Sequence, residues 1–180
     1  ARIYLYIGAV NAGRGIENYI EAMSFVKGRL VICGDGDIKS QLEEQARNSG
    51  FADRISFEGM VAPENLKKYC EEAFVGLMLL EDHSLSYHYS LANKFFDYMH
   101  AALPQIVSDL PEYRLINEKF KVAELVSTYT QSLVQAILKL EADENYYNLL
   151  KANALKAREL YCWEKESVKL TEFYDGITSK

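Results

Sequence analysis

Short apolar runs alternate with helix-spaced apolar positions along nearly the whole chain. Residues 3–8 (IYLYIG) read as a buried strand: short, β-branched and aromatic, and closed by a glycine. Residues 30–34 (LVICG), 55–59 (ISFEG), 75–80 (VGLMLL) and 104–109 (PQIVSD) share that character, and 121–126 (KVAELV) forms a sixth, more polar run. Between these runs the apolar period changes to that of a helix. Ile16, Ile20, Ala22 and Met23 follow the first run, and Leu42 and Ala46 mark a helix from about residue 38. Pro63 opens the next, in a first turn that tolerates proline. From Thr130 the pattern is helical almost to the end. Leu133, Ile137 and Leu140 share one face; Tyr147, Leu150, Ala154 and Ala157 share another; Trp163, Val168, Leu170 and Phe173 lie on a last helix over about 160–176.

Strands alternating with helices predict right-handed crossovers and a parallel sheet covered on both faces. The expected fold class is therefore α/β: a doubly wound, six-stranded parallel sheet with a C-terminal helical segment. No repeat, low-complexity tract or linker divides the 180 residues, so 1–180 reads as one domain. The chain enters its first strand at Ala1 without a methionine, which suggests a piece of a longer protein.

In such sheets ligands sit beyond the carboxyl ends of the strands, near helix N-termini. That singles out 8–15 (GAVNAGRG), 33–37 (CGDGD), 58–63 (EGMVAP), 80–94 (LEDHSLSYHYSLANK) and 107–113 (VSDLPEY). A net charge of −6 without any Lys/Arg block argues against a nucleic-acid groove, so a bound anion must be held by a few placed donors. No apolar run is long enough to span a bilayer. Three cysteines at unrelated spacings (Cys33, Cys70, Cys162) suit buried thiols in a reducing compartment. With three scattered histidines they make no metal-ligand cluster, so no metal is expected.

Within those loops, Arg14 lies between two glycines, where a guanidinium can reach a phosphate while the backbone approaches it closely; an exposed surface arginine in a turn is the alternative. CGDGD lacks the dinucleotide fingerprint and reads as a tight turn capped by Asp35 or Asp37. The stretch 90–109 (SLANKFFDYMHAALPQIVSD) is richer. A helix starting near Leu91, capped by Ser90, clusters free amides around 91–94, and Lys94 adds a full charge to this anion site. Asn93, Lys94 and Asp97 then share a helix face, with a carboxylate one turn from the phosphate donors. A routine surface Lys–Asp pair fits the same spacing. Segment 81–88 is turn-like; His83 and His88 are candidate acid/base groups, but the sequence shows a partner for neither.

At these residues the chain resembles the C-terminal half of retaining glycosyltransferases of the GT-B fold, the glycosyltransferase group 1 or glycogen-synthase-like type. The stretch 90–109 is similar to that family's PNKxFEYMAxGxPVIxSD segment. YIGAVNAGRGIENYIEAM, LVICGDG, ISFEGMV and the closing YCWEKESVKLTEFY match further family segments in the same order. The resemblance implies a domain that binds a nucleotide diphosphate sugar, such as a UDP-, GDP- or ADP-sugar. By that resemblance Arg14 and Lys94 stabilise the leaving diphosphate, together with the amides at Asn93 and Lys94; Asp97 binds the ribose; Met60 and Val61 lie against the base; and Gly8 lines the phosphate loop. It also implies retention of anomeric configuration, no cofactor, a separate N-terminal acceptor domain reached by the last helix, and work in the cytoplasm or at the cytoplasmic face of a membrane. The chain departs from the family at four points. The first acid of the E-x7-E pair, which contacts the donor sugar, is Tyr89; the second is the shorter Asp97; a frequent arginine is Ala9; and the glycine before the strand proline is Ala102. A sugar-nucleotide epimerase and a non-catalytic binding module remain the alternatives.

Overall fold

All six apolar runs become strands of one sheet; the four inner ones are buried on both faces, and the two edge ones only in part. The computed structural model describes residues 1–178. In chain order the elements are β1 (Ile3–Ile7), α1 (Ile16–Ala22), β2 (Arg29–Cys33), α2 (Lys39–Asn48), β3 (Ile55–Gly59), α3 (Pro63–Glu72), β4 (Val75–Met78), α4 (Leu85–His88), α5 (Asn93–His100), β5 (Gln105–Ser108), α6 (Pro111–Phe120), β6 (Ala123–Val126), α7 (Thr130–Ala142), α8 (Glu144–Arg158) and α9 (Trp163–Thr178). The strands pair in parallel in the order β3-β2-β1-β4-β5-β6. This is the doubly wound α/β sheet that the alternation predicts.

The order places a reversal between β1 and β4. The chain winds outward from β1 to β3, returns past β1, and winds the other way through β6. Open α/β sheets bind ligands at such a point, beyond the strand ends. Here the crevice has a specific cause. β1 pairs with β2 through five register positions but with β4 through only two, Tyr4–Val75 and Leu5–Gly76. Where that ladder stops, side chains take over. The Tyr98 hydroxyl accepts the Ile7 N–H at 3.1 Å and lies 3.2 Å from the Leu5 carbonyl. Tyr19 accepts the Leu79 N–H at 2.6 Å, and Ser108 accepts that of Leu80 at 2.7 Å.

Tyr98 also seats α5 on the sheet. Its ring fills the place where a side chain at Gly76 would stand, 2.5 Å from a Cβ there. Phe95, Tyr98 and Met99 are all fully buried, each contributing about 1.5–3 kcal/mol by removal from water. Two apolar layers flank the sheet. One joins α1, α2 and α7 to Tyr4, Tyr6, Leu30, Ile32 and Leu77. The other joins α3, α5 and α6 to Leu5, Ile7, Val31, Met78 and Val107, and α8 contributes Leu150 to the first and Ala154 and Ala157 to the second.

Three local expectations change. α5 starts at Asn93, not near Leu91, and Ser90 is not its cap: Ala92 precedes the helix in extended conformation with no side-chain cap. The Ala92 N–H instead donates to the Tyr113 hydroxyl at 3.0 Å, so packing from α6 fixes the entry. Neither Asp35 nor Asp37 caps α2, whose N-cap is Ile38; the Asp35 carboxylate instead closes its own turn on the Gly36 N–H. Segment 81–88 holds the short helix α4, capped by Ser84 through the Tyr87 N–H.

Candidate functional site

Lys94 is the second residue of α5, and its surroundings are the most telling in the chain. Its side chain runs beneath the end of β1 and is only 9% exposed. The ammonium sits 4.0 Å from the centroid of the Tyr6 ring. Gly8 makes room for it: a Cβ there would lie 2.8 Å from Nζ, and Gly8 adopts φ +133, a conformation that side chains disfavour. Among the described residues no carboxylate pairs with this ammonium. Burial, and then the nearby Arg14 guanidinium, lower its pKa from 10.5 to about 7. Tyr6 does not supply a counter-charge. Its O–H donates to the Ala9 carbonyl at 2.6 Å, and burial pushes the phenol well above its ordinary range.

Arg14 stands beside it in the β1–α1 loop. Its Nε is buried without a hydrogen-bond partner, and its guanidinium lies 5.2 Å over the Tyr87 ring. A buried cation and a half-buried one, near one another and with no ion pair among the described residues, border the strand reversal. The amides of Asn93 and Lys94 open α5 and have no intrahelical acceptors. The loop is held rigidly. The Gly8 N–H donates to the Cys33 carbonyl, that of Val10 to Asp35, and that of Asp37 to the Asn11 side chain. Gly34 permits this closeness, since a Cβ there would lie 1.8 Å from the Gly8 carbonyl oxygen.

Asp97 does not share Lys94's surroundings, and here the expected common face fails. Lys94 reaches inward under Gly8, whereas Asn93, Asp97 and His100 line a groove of about 570 Å³ against Pro63, Leu66, Lys67 and Cys70 of α3. No Lys94–Asp97 pair forms among the described residues. Desolvation raises the Asp97 carboxyl above its usual range, with His100 opposing the shift. α5 therefore carries its cation on one side and its carboxylate on another. Met60 is exposed and Val61 half-buried; they line a separate groove on the other flank of α3, with Asn65, Lys68 and Tyr69. Tyr89 follows α4, is 59% exposed, and meets the His88 ring edge-on at 4.6 Å.

Several participants have no clear signal in the sequence. Tyr6, Tyr87 and Tyr98 read as core or turn aromatics. Both histidines of segment 81–88 turn out to have carboxylate partners: His83 Nε2 contacts Glu81 Oε2, and His88 Nδ1 lies 2.8 Å from Asp82 Oδ2. The adjacent acids of Glu81-Asp82-His83 were the available hint. Cys33 and Cys70 are buried, and desolvation raises both thiols to about 12, while Cys162 is half-exposed. Among the described residues no three His, Cys, Asp or Glu side chains could hold a metal ion, and no helix is long and apolar enough to cross a membrane.

Known proteins share this fold. Sucrose-phosphate synthase from Thermosynechococcus elongatus superposes with a TM-score of 0.85 at 22% identity, over 99% of this chain and 46% of that one. Anabaena HepE, solved in complex with UDP-glucose, gives a TM-score of 0.85 at 13% identity over 97% and 48%. Among curated proteins, alpha-monoglucosyldiacylglycerol synthase of Streptococcus pneumoniae is 38% identical over 69 residues, 37% of this chain and 16% of that protein. The chain thus spans less than half the length of each of these three proteins. The sequence profile described as glycosyl transferases group 1 matches residues 1–143. With the profile covering most of the chain and the fold shared throughout, the chain belongs to the glycosyl transferases group 1 family.

Proposed function

We propose that this chain is the donor-binding part of a glycosyltransferase and that it holds the diphosphate of a nucleotide sugar at the reversal between β1 and β4. One observation carries the reading: Lys94 is buried there beside the half-buried Arg14, neither has an ion-pair partner among the described residues, and a diphosphate supplies the missing charge. Binding the anion restores the Lys94 proton, so the site is most cationic when loaded. As the bond from the sugar to the leaving phosphate breaks, negative charge grows on the diphosphate. The two cations and the amides of Asn93 and Lys94, already fixed in place, stabilise that growth without reorganising. Gly8 lets the phosphates approach the loop.

From the diphosphate the nucleoside runs across the first turn of α5 towards α3. Asp97 accepts hydrogen bonds from the ribose hydroxyls in the α3–α5 groove, and the base lies toward the backbone at Met60 and Val61. The sugar points to the other side, where Tyr89 offers one phenol oxygen. Crystals of HepE with UDP-glucose make UDP the first nucleotide to try. The chemistry asks for no metal, since the chain's own cations meet the diphosphate, and transfer proceeds with retention of configuration.

The acceptor would enter from a second domain. α9 exposes the apolar side chains of Trp163, Val168, Leu170 and Phe173, of which Trp163, Leu170 and Phe173 share a side suited to packing against such a domain. Where the acceptor is lipid-linked, that domain would bring the reaction to the cytoplasmic face of a membrane. Calorimetric titration with UDP, GDP and ADP tests the donor site directly. Binding of at least one in the micromolar to millimolar range is expected, and no binding of any at millimolar concentration overturns the reading.

A further inference from the structure

We propose that Tyr6 is a positioning residue of the donor site: its ring face holds the Lys94 ammonium at the strand reversal, where a carboxylate would otherwise stand, and leaves the charge for the ligand. The assignment rests on the donor-site reading above and deepens it. Along the chain Tyr6 is one more aromatic of an apolar strand, and only its neighbours in space set it apart.

The geometry begins with the two faces of β1. Tyr4 and Tyr6 belong to the apolar layer of α1, α2 and α7, and Leu5 and Ile7 to the layer of α5. Lys94 comes from α5, yet its ammonium lies 4.0 Å from the centroid of Tyr6, a ring of the opposite layer. The side chain crosses between the layers past the end of β1, and it can do so because Gly8 has no side chain. A Cβ there would meet Lys94 Nζ at 2.8 Å, Lys94 Cε at 3.1 Å and the Tyr6 hydroxyl at 3.8 Å. The lysine is thus led to one ring and stops on it.

That ring is held in place. Its hydroxyl donates to the Ala9 carbonyl at 2.6 Å, and the ring packs on Tyr19 with centroids 5.7 Å apart. Tyr19 is pinned in turn, because its hydroxyl accepts the Leu79 N–H at 2.6 Å. Tyr6 is fully buried, so the ring has no open direction into which to turn.

An aromatic face attracts a cation through its quadrupole, and the attraction strengthens where water is excluded. It carries no net charge, so unlike a carboxylate it neither neutralises the ammonium nor repels an incoming anion. It also occupies one side of the ammonium only, which leaves N–H donors for phosphate oxygens. The other charged and titratable groups around the contact are Arg14, which opposes the Lys94 charge, and Glu17, Tyr19, Tyr87 and Tyr98, which act on Tyr6. Burial keeps the Tyr6, Tyr19 and Tyr98 phenols protonated across the range in which Lys94 titrates.

The experiment follows the titration of Lys94 in the full chain by NMR of labelled lysine side chains, its signal identified by loss in Lys94→Met. UDP affinity is measured at the same pH values. Position 6 is compared as wild type, as Tyr6→Phe, and with monofluoro- or trifluorophenylalanine, which withdraw charge from the ring face at nearly constant shape. Tyr6→Phe is expected to keep the midpoint, and the fluorinated rings to lower it in order, by about one pH unit for the trifluoro ring. Relative to Tyr6→Phe, UDP then binds the trifluoro variant about tenfold more weakly at about pH 8 and within about twofold at about pH 5.5, where Lys94 is protonated in both. Tyr19→Phe loosens the same packing and leaves the midpoint in place. If Tyr6→Phe does not fold, fluorotyrosine keeps the hydroxyl and must lower the midpoint against the wild type. An unmoved or raised midpoint with the fluorinated rings, an equal fall in Tyr19→Phe, or a lowered midpoint with unchanged UDP affinity overturns this assignment alone. A wild type that binds no nucleotide diphosphate fails earlier, at the donor-site reading itself, and takes the assignment with it.

Discussion

The molecule contains two contacts between a lysine and a tyrosine ring that look alike until their third members are compared. On the β6 side, Lys139 lies 4.3 Å from the centroid of Tyr146, and Glu124 completes the group by accepting from Lys139 at 2.8 Å and from the Tyr146 hydroxyl at 2.6 Å. At the strand reversal, Lys94 lies 4.0 Å from the Tyr6 centroid, the Tyr6 hydroxyl is spent on a backbone carbonyl, and no ion pair among the described residues joins them. The first contact is finished within the fold and half-open to solvent. The second is buried and charged with a neighbouring cation instead of an anion, an arrangement that costs stability. A fold keeps a costly cation where the cost is offset by a ligand, and that asymmetry is what supports the reversal, not the β6 edge, as the donor site we propose.

Substitution should separate the two contacts sharply. Lys94→Met is expected to weaken UDP by about 1–3 kcal/mol, as for a lost charge-assisted bond, and at the same time to stabilise the fold by about 1–3 kcal/mol by removing a buried, unpaired charge. Calorimetry and thermal unfolding read the two effects; a fold made weaker with affinity unchanged would mean that Lys94 is structural. Arg14→Ala should weaken UDP over the same range with little gain in stability, because its guanidinium keeps the Tyr87 contact and partial solvent access.

The pH dependence of binding sharpens the contrast further. The folded-state pKa of Lys94 is depressed, to about 7 from 10.5, so below 7 the ammonium is charged and ready for an anion, and above 7 it must first take up a proton. The affinity for UDP-glucose is therefore expected to fall as pH rises through 7, by up to about tenfold per unit, with proton uptake visible as a dependence of binding heat on the buffer. Lys94→Arg should abolish both. For stability the sign is opposite: the unfolded chain holds this proton up to 10.5, so stability relative to Lys94→Met rises with pH between about 7 and 10.5.

Smaller effects are expected away from the cations. Asp97→Asn should weaken UDP by about 1 kcal/mol and leave inorganic pyrophosphate unchanged, and equal losses would contradict a ribose contact. Lys139→Met should leave every ligand affinity unchanged and cost at most about 1 kcal/mol in unfolding, since half-exposed ion pairs contribute little. A loss of UDP binding in that variant would erase the distinction between the two lysines.

Much of this was legible along the chain. The six strands, the three terminal helices and the burial of Met99 follow from runs and periods, because apolar area has to be covered and local spacing says which side is apolar, while the choice between Phe95 and Phe96 as its neighbour in the core fell to the structure, which buries Phe95. Arg14 and Lys94 stood out as candidates for the same reason that charges do in otherwise apolar or glycine-rich surroundings. Spacing misled where a long side chain chose its own direction. Lys94 and Asp97 are three residues apart on α5, yet the lysine turns under Gly8 and the aspartate faces α3. Ser90 has the right chemistry for a cap, but the Tyr113 hydroxyl from α6 decides where the helix begins.

What the sequence by itself determined, then, is the sheet, its winding and the identity of the ionisable residues placed at strand ends, since these depend on local period and on the short reach of each connection. What only the tertiary structure decided is which of those residues meet. The pairing of β1 with β4, 71 positions apart at Tyr4 and Val75, brings Lys94, Arg14 and Tyr6 together with no ion pair among the described residues. Charge and burial of a single residue are properties of its neighbours in space, and no periodicity within one element encodes the neighbours supplied by another.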